Sequence, residues 1–206
     1  MQSDQVHIIA HSMGNHVLLE AMSNLEDSLP TRISLGEVML AAPDISSLSY
    51  LKFVSENKDH FGGITLYASG EDKTLELSQQ VCRSRRFTLE EKGGLTLEEQ
   101  AELNSLSCGT RAGYSKASNG FPLIAHGADT IDASEVGESR AFLNVASWHS
   151  YPFTDSKVLS DMAAIMDPQR RAPTHKRTNL ECRLQDGQRC LNSATPSTSH
   201  YYVIQD

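Results

Sequence analysis

The sequence predicts an α/β fold in which helices flank a mostly parallel β-sheet, and three observations support this prediction. First, short continuous apolar runs end in turn residues, as at 37–42 and 64–68; such runs are typical of strands buried on both faces of a sheet. Second, segments with helical periodicity alternate with these runs along the chain. Third, 206 residues with 39% hydrophobic content suffice for one domain with its own core.

The N-terminal half provides three strand and helix pairs. The apolar run 6–10 predicts a strand, and the segment 16–25 places apolar residues on one face of a helix. Strands follow at 37–42 and 64–68, and the more polar interval between them suits a crossover helix. A further helix is expected over residues 73–82.

The segment 83–122 departs from this alternation. We interpret it as an inserted excursion near the mouth of the site. Within it, Thr96 and Glu99 have the spacing of a capping box, which predicts the start of a short helix. A weaker strand is expected at 128–133.

The C-terminal part contains one clear element. Residues 155–166 place apolar side chains on one helical face, with Asp155 or Ser156 as the N-cap. The aromatic run 201–204 would add a terminal strand or dock on the surface. We therefore expect one folded domain over residues 1–168 and a polar C-terminal tail over residues 169–206.

The pentapeptide from Ala10 to Gly14 connects the first strand to the first helix. Its sequence, Ala-His-Ser-Met-Gly, differs by one methyl group from the G-x-S-x-G turn that exposes a nucleophilic serine. The turn strains the serine backbone and needs small flanking residues. Ser12 is therefore predicted as a nucleophile. The alternative is a helix start capped by Ser12, with Gly14 incidental.

A serine nucleophile needs an imidazole to accept its proton and a carboxylate to orient that imidazole. The sequence offers these groups in the order Ser, Asp, His, each after a predicted strand. Asp72 follows the strand 64–68, and His149 precedes the last helix. Asp44, at the end of the strand before, is the alternative acid. The alternative for His149 is an exposed loop histidine.

The same chemistry needs N–H donors for the oxyanion that forms on acyl attack. The backbone N–H of Met13 is one candidate. The second donor ordinarily comes from a loop after an earlier strand, which has no counterpart before Val6. We therefore expect a chain that lacks the N-terminal half of its fold. Its first strand would be open to self-association.

Several stretches, taken together, resemble the bacterial alpha/beta hydrolases of the DUF900 type, within the esterase and lipase superfamily. The stretches that carry the resemblance are Val6–Asn15, Leu40–Asp44, Thr65–Ser69 with Asp72 and Lys73, Asp129–Ala133 and Trp148–Tyr151. The resemblance implies the C-terminal portion of an alpha/beta-hydrolase fold, with Ser12, Asp72 and His149 at the triad positions. The resemblance says little about the substrate. From the order of the three motifs we predict a lipase-like serine hydrolase that cleaves a small-molecule carboxylic ester without a cofactor. The alternative is a non-catalytic remnant or partial gene product.

Charge and composition bound the other classes of partner. A net charge of −8 argues against nucleic acid, and no apolar run approaches the length of a membrane span. The four cysteines match no zinc spacing, so no metal site is expected. Cys182 and Cys190 flank a turn and could form a disulfide or remain free thiols. No signal peptide is visible, and the sequence leaves the compartment open: cytoplasmic as the chain stands, exported if an upstream segment is missing.

Overall fold

The computed structural model of the protein describes residues 4–25, 33–105, 107–115, 120–136, 148–167, 180–185, 187–190 and 200–204. Strands and helices alternate through most of this range. In chain order the elements are β1 (Asp4–His11), α1 (Gly14–Ser23), β2 (Ile33–Ala41), α2 (Ser47–Asn57), β3 (Gly63–Ala68), α3 (Lys73–Glu91), α4 (Leu97–Ser105), β4 (Asp129–Asp132), α5 (Tyr151–Thr154), α6 (Ser156–Met166), β5 (Leu180–Leu184) and β6 (His200–Ile204).

The strands form one six-stranded sheet in the order β1-β2-β3-β4-β6-β5. Every neighbouring pair is parallel except β5 and β6, which are antiparallel. The predicted mostly parallel sheet with flanking helices is therefore confirmed. Because parallel strands end at the same edge, the residues that follow β1, β2, β3 and β4 come together there.

Both faces of the sheet are covered, which explains the continuous apolar sequence of β2. Val38 and Leu40 face a core shared with α1 and α2. Met39 and Ala41 face a second core shared with α5 and α6. Because successive side chains of a strand point to opposite faces, a strand between two helical layers needs apolar residues at every position.

Helix α1 buries less of its apolar surface than its sequence predicts. Leu18 is buried against the sheet. Val17 and Leu25, which the periodicity places on the same face, remain 72% and 41% exposed. The physical reason is that α1 follows β1, the edge strand, so no further strand of the sheet lies beyond it to cover the outer side of the helix.

Helix α3 is longer than predicted and continues to Glu91. An ion pair between Arg86 and Glu90, four residues apart, supports its exposed second half. Helix α4 begins with the predicted capping box. Thr96 N–H donates to Glu99 Oε2 at 3.0 Å, and Glu99 N–H donates to Thr96 Oγ1 at 3.2 Å.

The chain beyond residue 168, predicted as a polar tail, contributes two strands to the same sheet. β6 pairs with β4, and its residues Tyr202 and Ile204 are buried in the second core. β5 was not predicted, because its alternating polar residues lie at the far edge of the sheet, where burial is incomplete. No helix in the described part of the chain is long and apolar enough to cross a bilayer.

Candidate active site

Ser12 lies in the two-residue turn between β1 and α1, at the carboxyl edge of the sheet. Its φ angle is +54°, in the left-handed region that residues other than glycine rarely adopt. Hydrogen bonds hold this backbone on both sides. Ser12 N–H donates to the Ala41 carbonyl at 3.1 Å, and Asp44 N–H donates to the Ser12 carbonyl at 3.2 Å. The strained turn predicted for a nucleophilic serine is therefore present.

Asn15 is a buried part of this turn that the sequence did not single out. Its side-chain amide donates to the Ala10 carbonyl at 3.1 Å and to the Ser12 carbonyl at 2.9 Å. It thus ties the end of β1 to the start of α1. A polar residue one position after Gly14, at the start of an otherwise amphipathic helix, was the signal available in the sequence.

The small residues around Ser12 behave differently from one another. Ala10 is buried in the core between the sheet and α1, as expected for a crowded position. Gly14 is not crowded, because a Cβ atom built there would meet nothing within 4 Å. The turn therefore needs a small residue at Ala10, whereas the space at Gly14 would also hold a larger side chain.

Asp72 and His149 lie 77 positions apart in the sequence and meet at this edge. His149 Nδ1 is 2.8 Å from Asp72 Oδ2, and the Asp72 side chain is fully buried. Asp72 also caps α3, since its Oδ1 accepts from the N–H groups of Thr74 and Leu75 at 3.1 Å. One carboxylate oxygen therefore anchors to the positive end of a helix, and the other accepts the imidazole proton.

Nε2, the other ring nitrogen of His149, is buried and has no hydrogen-bond partner among the described residues. With Nδ1 donating to a carboxylate, Nε2 carries the lone pair that a general base needs. The Ser12 hydroxyl makes no hydrogen bond with Nε2 in this structure. Such bonds are often long in the absence of substrate and tighten when substrate binds.

His11, the residue before Ser12, contacts both the ring and the backbone of His149. Its ring centroid lies 4.7 Å from that of His149 and 5.1 Å from that of Phe153. Its Nε2 lies 3.0 Å from the His149 carbonyl oxygen, which can only accept, so Nε2 carries the proton. Burial lowers the pKa of His11, and the bond to the His149 carbonyl partly opposes this shift. His11 thus presents a neutral donor to the backbone of the base.

Asp44, the alternative acid, has other partners. Its Oδ1 lies 2.8 Å from Arg111 Nε, and the Ser78 hydroxyl donates to both of its carboxylate oxygens at 2.9 Å. Its backbone carbonyl accepts from His16 Nε2 at 2.8 Å. An arginine and a serine therefore bind the carboxylate, and no histidine ring among the described residues bonds to it.

Met13, the predicted oxyanion donor, is the N-cap residue of α1. Its backbone N–H makes no hydrogen bond to the described residues, and its side chain is 68% exposed. An unpaired N–H at the start of a helix is suited to receive a negatively charged oxygen, because the helix dipole adds to the attraction.

The excursion between α3 and β4 returns to the site. Ala112 N–H donates to the Ile45 carbonyl, and Gly113 N–H donates to the Pro43 carbonyl. Ser69 N–H donates to the Gly113 carbonyl at 3.0 Å. The returning segment therefore lies between the loop after β2 and the loop after β3. A disulfide between Cys82 and Cys108, which the sequence analysis did not predict, fixes it to α3.

Two buried tyrosines link the segments that carry Asp72 and His149. The Tyr151 hydroxyl donates to the Tyr67 carbonyl at 3.0 Å, and the Tyr67 hydroxyl donates to Asp161 Oδ2 at 2.7 Å. Tyr151 follows His149 by two positions, and Tyr67 lies on β3, the strand that leads to Asp72.

Among the described residues, no cluster of His, Cys, Asp or Glu side chains could hold a metal ion.

Comparison with known proteins agrees with this architecture. Residues 1–100 match the family model described as alpha/beta hydrolase of unknown function (DUF900). The match includes Ser12 and Asp72 and ends before His149. It confirms the predicted resemblance to this family over residues 1–100 and, together with the six-stranded sheet, the alpha/beta-hydrolase fold class. No curated protein and no solved structure matches the chain.

Proposed function

We propose that this protein is a serine hydrolase that cleaves carboxylic esters through an acyl-enzyme on Ser12. The observation that carries the proposal is the arrangement of His149, whose Nδ1 is held by Asp72 and whose Nε2 is buried without a partner. Ser12, whose backbone is strained and whose neighbour His11 packs its ring against that of His149, supplies the nucleophile. The hydrolase family match supports the same reaction class.

The proposed reaction has two halves that share one base. Ser12 Oγ bonds to the ester carbonyl carbon while its proton passes to His149 Nε2, and the Met13 N–H binds the oxyanion. The bond to the alcohol oxygen then breaks, and Nε2–H protonates the departing alcohol. In the second half, water adds to the acyl carbon as its proton moves to Nε2. Ser12 leaves and recovers that proton.

Asp72 has the same role in both halves of this reaction. Its Oδ2 accepts the Nδ1 proton of His149 throughout and stabilises the imidazolium that forms twice per turnover. Its Oδ1 stays bound to the first turn of α3, so the carboxylate has one orientation available. His11 donates to the His149 carbonyl and holds the backbone beside the imidazole.

A fluorophosphonate probe tests the nucleophile directly. We expect labelling of folded protein at Ser12, located by peptide mass spectrometry, and hydrolysis of short p-nitrophenyl esters. Ser12→Ala should remove the label and lower kcat by at least about 10³-fold. Folded wild-type protein that neither labels nor turns over any ester in a series of short to long acyl chains would favour the non-catalytic alternative.

Matched variants decide between the two candidate acids. Asp72→Asn keeps an oxygen for capping α3 but loses the charge that selects the His149 tautomer, so kcat should fall about 10³–10⁴-fold. Asp44→Asn breaks the ion pair with Arg111 and should cost stability, with kcat within about tenfold of wild type. The opposite order of the two effects on kcat would assign the acid to Asp44.

A further inference from the structure

A cluster of hydroxyl groups surrounds a carboxylate at the end of β4, beside the loop that carries the proposed acid. Asp132 is the last residue of β4, and its Oδ1 accepts from the Ser134 N–H at 3.0 Å and from the Ser134 hydroxyl. The Ser115 hydroxyl donates to the same oxygen at 3.3 Å. Burial raises the pKa of Asp132. The reaction proposed above makes no use of this group.

The cluster reaches the acid loop through one hydrogen bond. Gly70 N–H donates to Ser134 Oγ at 2.7 Å. Because the Ser134 hydroxyl directs its proton to Asp132, its lone pairs are free to accept from Gly70. The order of donors is therefore Gly70 to Ser134 and Ser134 to Asp132.

Gly70 belongs to the short turn between β3 and Asp72. Two further hydrogen bonds of this turn have main-chain or local partners: Ser69 N–H donates to the Gly113 carbonyl, and Glu71 N–H donates to Ser69 Oγ at 3.2 Å. Ser134 lies in the connection that follows β4, so its bond to Gly70 joins two separate loops. The turn is thereby fixed to the neighbouring strand β4.

We propose that Ser134, oriented by Asp132, is a positioning residue that holds the turn before Asp72 where the carboxylate meets His149 Nδ1. This inference rests on the proposed function, because it assigns a role within the same site. A catalytic group displaced by about 1 Å can lose on the order of 10²-fold in rate, so one hydrogen bond to the turn can matter more for turnover than for stability. The net contribution of one such hydrogen bond to stability is small.

Three single variants separate this role from a general packing role. Ser134→Ala removes the acceptor for Gly70 and should lower kcat about tenfold, with KM within about twofold. Ser134→Thr keeps a hydroxyl and should restore most of kcat. Ser115→Ala is the matched control. Its hydroxyl lies 3.0 Å from Ser134 Oγ and donates to Asp132, but Ser134 keeps its own bonds to Asp132 and Gly70 when that hydroxyl is removed. Its kcat should stay within about twofold of wild type.

Two spectroscopic measurements test the inference without relying on turnover. In ¹⁵N-labelled wild-type protein we expect slow hydrogen exchange at the Gly70 amide and a downfield resonance from the His149 Nδ1 proton. Ser134→Ala should accelerate Gly70 exchange at least about tenfold and weaken the Nδ1 resonance, whereas Ser115→Ala should change neither. Thermal unfolding of each variant verifies that the fold is intact.

The outcomes are distinguishable from a failure of the proposed function. If Ser12 is neither labelled nor needed for turnover, the proposed reaction is wrong, and the Gly70 and His149 signals still decide whether Ser134 positions the acid turn. If Ser134→Ala and Ser115→Ala give the same Gly70 exchange, the same Nδ1 resonance and the same kcat, the positioning role of Ser134 is overturned.

Discussion

At the scale of single residues, the site depends on backbone conformations that neighbouring polar groups hold in place. Ser12 has a positive φ angle, and so does Ala42, which directly follows β2. The carbonyl of Ser12 accepts from Asp44 N–H and from the Asn15 amide. Conformations of this kind cost about 1–3 kcal/mol each and persist where the surroundings determine them. At Ser12, the hydrogen bonds to its carbonyl offset the free-energy cost of the positive φ angle.

His11 should make stability depend on pH in a predictable direction. Burial lowers the pKa of His11 below its ordinary value of 6.5, so the folded state binds fewer protons than the unfolded chain. Its stabilising contribution is complete above that value and is lost as the pH falls through the lowered pKa. His11→Gln keeps a donor for the His149 carbonyl without titrating. The wild-type advantage in free energy of unfolding should shrink between about pH 7.5 and pH 5.

Urea unfolding of the two proteins at both pH values provides the measurement. Titrating groups that do not interact with His11 contribute equally to both proteins, so their contributions cancel in the difference. An advantage of the wild type that grows on acidification would contradict the assigned direction.

Gly14 and Gly113 should respond oppositely to alanine. A Cβ at Gly14, the first residue of α1, meets open space, so Gly14→Ala should leave stability unchanged or raise it by up to about 1 kcal/mol. A Cβ at Gly113 would lie 2.6 Å from backbone atoms of Ala42 and Pro43. Gly113→Ala should therefore cost about 1–3 kcal/mol. Chemical denaturation of both variants tests this, and equal effects would be inconsistent with the packing described.

At the scale of elements, helix N-termini organise the acid and the base. Asp72 caps α3, and Asp155 caps α6 a few residues after His149. Asp155 Oδ1 accepts from the N–H groups of Lys157 and Val158. A carboxylate at these positions satisfies unpaired N–H groups and interacts favourably with the helix dipole. The chain thereby fixes the position of two loops at the same edge of the sheet.

The cap of α6 gives a prediction at this scale. Asp155→Ala leaves two N–H groups of the first turn without an acceptor and should lower the free energy of unfolding by about 1 kcal/mol. Asp155→Ser, which restores a capping oxygen, should recover most of that loss. Thermal denaturation measures both variants. A serine variant no more stable than the alanine variant would show that the charge of Asp155, and not its capping oxygen, is what matters.

At the scale of the whole molecule, two disulfides close loops of different length. Cys82–Cys108 spans 26 positions, and Cys182–Cys190 spans 8. The loss of chain entropy in the unfolded state grows with loop length, which gives about 3.5 kcal/mol for the first disulfide and about 2.5 kcal/mol for the second. Disulfides are typical of proteins that fold in oxidising compartments.

Paired serine variants test this order. Cys82→Ser with Cys108→Ser should destabilise the protein by about 1 kcal/mol more than Cys182→Ser with Cys190→Ser. Denaturant unfolding supplies the free energies, and titration of free thiols in unfolded wild-type protein should find none. A larger loss from the shorter loop would show that packing around the disulfide outweighs chain entropy.

Self-association through the first strand stays a prediction. The structure places β1 at an edge of the sheet, with Val6 and Ile9 42% and 39% exposed. Unpaired backbone groups beside apolar side chains favour pairing with another strand, and an added lysine opposes it. Sedimentation velocity should show concentration-dependent association for wild-type protein and less for Ile9→Lys. Equal sedimentation of both proteins as monomers at high concentration would contradict this prediction.

The sequence indicated much of the fold because local signals and tertiary packing agree in most elements. The apolar runs of β2 and β3, the capping box at Thr96 and Glu99 and the N-cap at Asp155 all depend on neighbours within a few positions. β5 and the second half of α3 were missed. Their stability comes from pairing with β6 and from ion pairs and a disulfide, which connect distant parts of the chain.

The sequence by itself determined the order of most strands and helices, the turn at Ser12 and the candidates for acid and base, because each is encoded within a short stretch of chain. Tertiary structure alone decided which carboxylate meets His149, since Asp72 and Asp44 both follow buried strands and only the packing of β4, α3 and the excursion separates their surroundings. It also decided that Asn15 and Ser134 support the site. Hydrogen bonds between segments that are distant in sequence leave no periodic pattern in that sequence. They form only where the fold brings those segments close together.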